Sequence, residues 1–184
     1  MSVGGLLCLW KTTKDIYFEN VFGNISKITY GYKLQNFHYK LLHRILPTNT
    51  FLVIIGIKDS DLCSFCKIAT DSIMHYIWQC PKVQEFWPVG RWLEQIFEIP
   101  IQLNIENTVF NTNTDEFPYE IINFVLLFAK YFIHCCKWSN HLPTTELLNV
   151  KLKSREKVEQ YTAVITGDLI KHEEKWSKLL NNIG

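Results

Sequence analysis

The sequence predicts a mainly α-helical fold: amphipathic helices set around a small turn rich in cysteine and histidine, with at most a short strand pair. Three observations carry that reading. Apolar residues recur at helical spacing in several stretches bounded by cap residues and prolines. No repeat period or low-complexity tract competes with this pattern. Between two of the helical stretches the chain reads Cys63-Ser-Phe-Cys66, eight residues, His75, four residues and Cys80.

The elements follow in order. Leu6, Leu7, Cys8, Leu9 and Trp10 form an apolar run with no cation before it, too short for a secretory signal, so no export is expected. Leu34, Phe37, Leu41, Leu42 and Ile45 share one face of a helix that must end before Pro47. Thr48 or Asn49 caps a second, short helix through Ile55, with Gly56 as its left-handed stop. Ser72 is placed to cap a helix carrying His75. Pro81 suits the first turn of another helix, which carries Val83, Phe86, Trp87, Leu93 and Phe97 and is kinked by Pro88 and Gly90.

Residues 104–116 are rich in Asn, Thr and acids and read as a surface connection, with one short strand at most around Val109 and Phe110. The apolar stretch 119–138 is interrupted by Asn123, Lys130, His134 and Lys137, which suits a buried helix better than a membrane span. Beyond a turn at 139–143, a long amphipathic helix carries Leu148, Leu152, Tyr161, Ile165, Leu169 and Trp176, with Gly167 as an interruption. The expected organisation is residues 1–100 as helices plus the cysteine-bearing module, 101–118 as a linker, and 119–184 as a C-terminal helical region.

Composition bounds function. With 47% hydrophobic and 20% charged residues in 184, the chain is neither collagen-like nor intrinsically disordered. A net charge of +1 gives no global field for a polyanion, so nucleic-acid binding would have to rest on local patches. Residues 1–57 hold six Lys and Arg against two acids, and Lys151, Lys153, Arg155 and Lys157 crowd another stretch opposed only by Glu156. The second group spreads around its helix, so a solvated face is its default reading and a phosphate-contacting patch the alternative. Six cysteines without an export signal point to a reducing, intracellular compartment, cytoplasm or nucleus, where thiols bind metal or stay free.

The pattern C-x2-C-x8-H-x4-C is the sharpest chemical feature. Two thiolates two residues apart can converge from one tight turn, and a His and a Cys from a following helix can close a tetrahedron. Soft sulfur with one imidazole selects Zn²⁺ over Mg²⁺ or Ca²⁺, and four protein ligands, Cys63, Cys66, His75 and Cys80, leave no position for an activated water. One structural zinc is therefore expected and metal-dependent hydrolysis is not. Three thiolates and one Zn²⁺ carry a charge of −1, which Lys67 and Lys82 can partly offset. A redox role for Cys63 and Cys66 would need a thioredoxin-like strand and helix around them, and the sequence offers neither. His134, Cys135, Cys136 and His141 are better read as helix packing, because neighbours on a helix point about 100° apart. His38 and His43 are read as separate surface or core residues. Phe65, at the tip of the knuckle, can stack on a base or pack against Ile77 or Trp78.

Several segments resemble the zinc-binding module that follows the polymerase in non-LTR (LINE-type) retrotransposon proteins. They are Leu34-Gln-Asn-Phe-His-Tyr-Lys-Leu-Leu-His-Arg-Ile-Leu-Pro-Thr-Asn49, Cys63-Ser-Phe-Cys66, His75-Tyr-Ile-Trp-Gln-Cys-Pro81 and Val83-Gln-Glu-Phe-Trp87. The likeness is dense over 34–87 and continues more loosely through Phe128-Ala-Lys-Tyr-Phe132 to Trp176. It implies the same four ligands and a role in holding template RNA or target DNA during target-primed reverse transcription. The chain has no Asp-Asp pair to match the polymerase's metal-binding aspartates, so it is not expected to be an enzyme by itself. Pro88 and Gly90 fall where the family's helix is expected to continue. The implied function is a non-catalytic zinc module binding RNA or single-stranded DNA weakly and without sequence preference, through Lys40, Arg44, Phe65, Lys67 and Lys82. The remainder of a reverse transcriptase polyprotein is a second implied partner, and no membrane is. The competing reading is a zinc-stapled helical scaffold for protein contacts.

Overall fold

In a computed structural model of the chain, residues 28–29, 31–101, 103–110 and 118–182 are described. Helix α1 spans Tyr32–Leu42 and α2 spans Asn49–Ile54. A π-helical turn, His75–Gln79, leads into α3, Pro81–Gln84, and then α4, Val89–Phe97. The remaining helices are α5, Ile105–Phe110; α6, Tyr119–Ser139; α7, Thr145–Thr166; and α8, Leu169–Leu180. Strand pairing among the described residues is limited to one isolated antiparallel bridge, Leu62 with Thr70. The fold is mainly helical, as its periodicity indicates.

Local chemistry sets most boundaries. The Thr48 hydroxyl accepts from Phe51 N–H at 3.1 Å, so Thr48, not Asn49, caps α2, and Gly56 beyond its end is left-handed at φ 72°. The Ser72 hydroxyl accepts from His75 N–H at 3.0 Å, and Pro81 stands in the first turn of α3. Leu34, Phe37, Leu41 and Leu42 are buried as their spacing predicts. Ile45 is not: it is 57% exposed and Leu46 takes the interior position instead. The cause is Arg44, whose left-handed backbone (φ 58°) ends the helix and shifts the phase of the side chains after it.

The helix expected to bend at Pro88 and Gly90 is instead two helices, because Pro88 opens α4 as its N-cap. Val83, Phe86, Trp87, Leu93 and Phe97 are nonetheless all buried. Gly90 permits a close approach: a Cβ there would stand 2.2 Å from Cδ1 of Leu103. The stretch read as a surface connection with a short strand contains α5, whose Val109 and Thr108 are buried. Its Asn and Thr content argued against a helix, and packing on α1 overrides that local preference.

Helix α6 is the centre of the structure. It is long and apolar enough to cross a membrane, yet 67% of its most apolar window is buried within the fold, as a core helix should be. One continuous apolar cluster joins Leu34, Phe37 and Leu41 to Ile77, Phe86 and Leu93, to residues 121–133 of α6, and on to Leu148, Leu152 and Trp176. At Gly167 (φ 77°) the chain reverses, so α8 folds back on α7 rather than prolonging it. This reversal selects Leu148, Leu152, Glu156 and Ala163 as the inner face of α7 and leaves Tyr161 and Ile165 exposed, contrary to the single long stripe. Glu156 meets His172 at 3.0 Å, and Glu159 bonds Lys175 at 3.2 Å and the Trp176 indole at 3.1 Å across the hairpin.

Lys130 lies fully buried on α6 and its Nζ donates to the Val109 carbonyl at 3.0 Å, tying α5 to the core. Burial pulls its ammonium from 10.5 down to about 7. Between those values the unfolded chain binds the proton more strongly than the folded one, so stability rises with pH from about 7 to 10.5. Lys130→Met is expected to flatten that rise and to raise Tm at neutral pH. Thermal melts across this range check it, and parallel profiles for variant and native chain would contradict it. His38, also fully buried, is held well below 6.5 by burial and then by Lys130, and is a neutral core residue.

Candidate metal centre

Cys63 and Cys66 come from a loop closed by two contacts. Cys63 N–H donates to the Ala69 carbonyl and Asp71 N–H to the Asp61 carbonyl, both at 2.8 Å, which together pair Leu62 with Thr70. Lys67, left-handed at φ 58°, turns the chain back immediately after Cys66. His75 and Cys80 come from the π-turn. In an α-helix, residues five apart diverge by about 140°. Here Cys80 N–H donates to the His75 carbonyl at 2.7 Å, a five-residue ring that widens the turn and brings both side chains to the same side.

The four donor atoms all lie within 4.8 Å of one another, from Cys63 and Cys80 with no exposed surface, His75 buried, and Cys66 half-buried. Cys63 Sγ and Cys80 Sγ are 3.8 Å apart, and Cys66 Sγ and His75 Nε2 are 3.3 Å apart. A tetrahedral zinc with Zn–S bonds of about 2.3 Å has S–S edges of about 3.8 Å, so donor set and dimensions both fit one structural Zn²⁺. Backbone amides face each sulfur: Cys66 and Phe65 at Cys63, Ala69 and Ile68 at Cys66, and Lys82 and Val83 at Cys80. Burial drives the Cys63 thiol up to about 12 and raises Cys80 as well. At Cys66 burial opposes ionisation, but the amides of Ala69 and Ile68 and the His75 ring outweigh it and bring the thiol down to about 6.

The centre is anchored by residues that the spacing pattern does not reveal. The buried Asn49 side chain donates to the Leu62 carbonyl at 2.6 Å and to Ser64 Oγ at 3.1 Å, and accepts from Lys58 Nζ at 2.9 Å. Asn49 N–H donates to Asp71 Oδ2 at 2.6 Å, and the same oxygen pairs with Lys137 of α6, both side chains being buried. Lys137 Nζ lies 4.3 Å from the centroid of the Tyr76 ring, and the Tyr76 hydroxyl reaches His134 Nδ1 at 3.2 Å. The Trp87 indole donates to the Ile77 carbonyl at 2.9 Å, fixing α3 on the π-turn. In the sequence these anchors show only indirectly: Asn49, Tyr76 and Trp87 lie in segments of the resemblance, and His134 and Lys137 interrupt the apolar stretch 119–138.

The other singled-out residues are distributed. Lys40 is exposed on α1, Arg44 follows its end, Lys67 is exposed on the knuckle, and Lys82 is exposed on α3 in a 2.9 Å ion pair with Glu85. Phe65 is half-buried and packs against the apolar cluster, which favours its packing role over stacking. In the second group, His134 is bonded to Tyr76 and Trp138, Cys136 is buried and Cys135 exposed, and these residues form no metal cluster.

Comparison with known proteins gives a family match over part of the chain. Residues 9–87 match the family described as zinc-binding in reverse transcriptase, which is a zinc-binding region of such proteins and not their catalytic domain. A relative follows: the Transposon TX1 uncharacterized 149 kDa protein of Xenopus laevis, 27% identical over 146 residues. The match covers 76% of this chain but only 11% of that relative. No solved structure matches.

Proposed function

We propose that Cys63, Cys66, His75 and Cys80 hold one Zn²⁺, and that the stapled module gives a reverse transcriptase polyprotein an auxiliary, weak and unspecific grip on RNA or single-stranded DNA within a reducing compartment. The convergence of the four donor atoms within 4.8 Å carries this reading. The zinc acts by folding: it holds the knuckle loop against the π-turn and so fixes where Lys67 and Lys82 stand, with Lys40 and Arg44 on and just after α1 as further cations. The Glu85 partner leaves Lys82 available, since exposed ion pairs contribute little. If these four neutralise three or four phosphates, log K for a single strand falls with log salt at a slope of roughly −2 to −3. Titrating labelled RNA at several salt concentrations should give that slope, and replacing all four residues with Ala should flatten it. Absent or salt-independent binding by the zinc-loaded chain would defeat the proposal.

A second reading has its own observation. Phe51, Ile54, Ile55 and Ile57 are exposed on and just after α2, and Ile68 is exposed at the knuckle tip. Such apolar surface suits a contact with the rest of a longer polyprotein. Retention of a polymerase segment by a chain that binds no RNA would favour it.

A further inference from the structure

Trp138 is a large aromatic left 47% exposed near the C-terminal end of α6. Its ring is held in place: Nε1 donates to His134 Nε2 at 3.3 Å, and the ammonium groups of Lys58 and Lys137 lie 5.6 and 5.4 Å from its centroid. Lys137 is paired with Asp71, and the further charges acting on the neighbouring His134 and Cys135 are cationic. Those acting on His134 come from Lys137 and Lys40, and those acting on Cys135 from Lys151 and Lys33. Lys33 and Lys40 are seven residues apart on α1, hence on the same side of that helix, and both are exposed, as is Lys151 on α7. Three helices and the segment after α2 thus bring cations to this held, accessible ring or to His134 and Cys135, about one turn before it on α6.

We infer that Lys33, Lys40, Lys58, Lys151 and Trp138 form a binding surface for single-stranded nucleic acid, the lysines meeting phosphates and the indole stacking on a base. This rests on the nucleic-acid reading above but moves the main contact from the knuckle to the α1–α6–α7 face. The aromatic selects the class of partner. A duplex buries its base faces in its own stack, whereas a single strand offers them, and an acidic peptide has none. The indole's hydrogen bond to His134 spares much of the ordering that a free side chain would undergo on binding.

The test uses the zinc-loaded full chain with labelled oligouridylate, its duplexed counterpart and polyglutamate of matched charge. Trp138→Ala should weaken single-strand binding about 5- to 150-fold, with Trp138→Phe retaining most of it. Lys33→Gln with Lys151→Gln should reduce the magnitude of the salt slope by about 1.4, while Lys67→Gln with Lys82→Gln changes it less. The substituted lysines are exposed, so that arm holds even where Trp138→Ala impairs folding, and zinc content and circular dichroism identify such a case. Unchanged affinity in Trp138→Ala, or equal affinity for polyglutamate, overturns the inference. Loss of binding confined to the Lys67 and Lys82 variant overturns it while leaving the proposed function intact. No binding by the native chain removes both.

Discussion

Cys63→Ser and His75→Ala are each expected to take the zinc content of the purified chain from one equivalent to near zero. Structural zinc contributes about 10 to 16 kcal/mol in finger peptides, as much as the whole stability of a typical domain, about 5 to 15 kcal/mol. The loop bearing Cys63 and Cys66 has few other bonds to hold it: the amides of Cys63, Lys67 and Asp71 on the carbonyls of Ala69, Cys63 and Asp61, and the Asn49 side chain. Loss of the metal should therefore release residues 58–87 and expose Trp78 and Trp87, seen as rapid amide exchange there and a red-shifted tryptophan emission. The α7–α8 hairpin, closed by Glu156–His172 and the Glu159 bonds to Lys175 and Trp176, should keep its helicity. Cys135→Ser, at an exposed thiol outside the cluster, should leave zinc unchanged. Full zinc in either ligand variant would refute the ligand set.

What was legible in the sequence was local. Thr48, Ser72, Pro81 and Gly56 act within four residues of themselves, and their positions follow from cap and turn chemistry alone. The spacing of the cysteines and histidine was legible because a tetrahedral ion tolerates few arrangements. Where a single residue shifts the phase of a helix, the signal fails: the left-handed Arg44 exchanges Ile45 for Leu46, and the reversal at Gly167 turns Tyr161 and Ile165 outward. Helix α5 forms in a stretch of weak helix formers because Val109 and the Lys130 bond place it against the core. Pairings across long separations leave no local trace at all. Asp71 and Lys137 lie 66 residues apart, and nothing in either neighbourhood announces the other.

That pair supplies the second large effect. Lys137→Met should destabilise the chain by about 3 to 5 kcal/mol, because it leaves the Asp71 carboxylate buried without its counter-charge. At this chain length that corresponds to a fall in Tm of roughly 6 to 20 °C. Asn49 N–H remains as a partner for Oδ2, but Oδ1 already lacks one, so the orphaned charge has little local relief. Burial also lowers the Lys137 ammonium against the pull of Asp71, so desolvation offsets part of what the pair contributes. Replacing both partners should then cost much less than removing one. Asp71→Asn combined with Lys137→Met keeps an oxygen for the Asn49 amide and buries no charge, and should recover most of the lost Tm. The effect should reach the metal as well, since Asp71 holds Asn49, and Asn49 holds the Leu62 carbonyl and the Ser64 hydroxyl on either side of Cys63. Zinc retention under chelator should fall in Lys137→Met and return in the double variant. A double variant as unstable as the single one would show that the loss comes from the packing of Lys137 on the Tyr76 ring, not from the unpaired carboxylate.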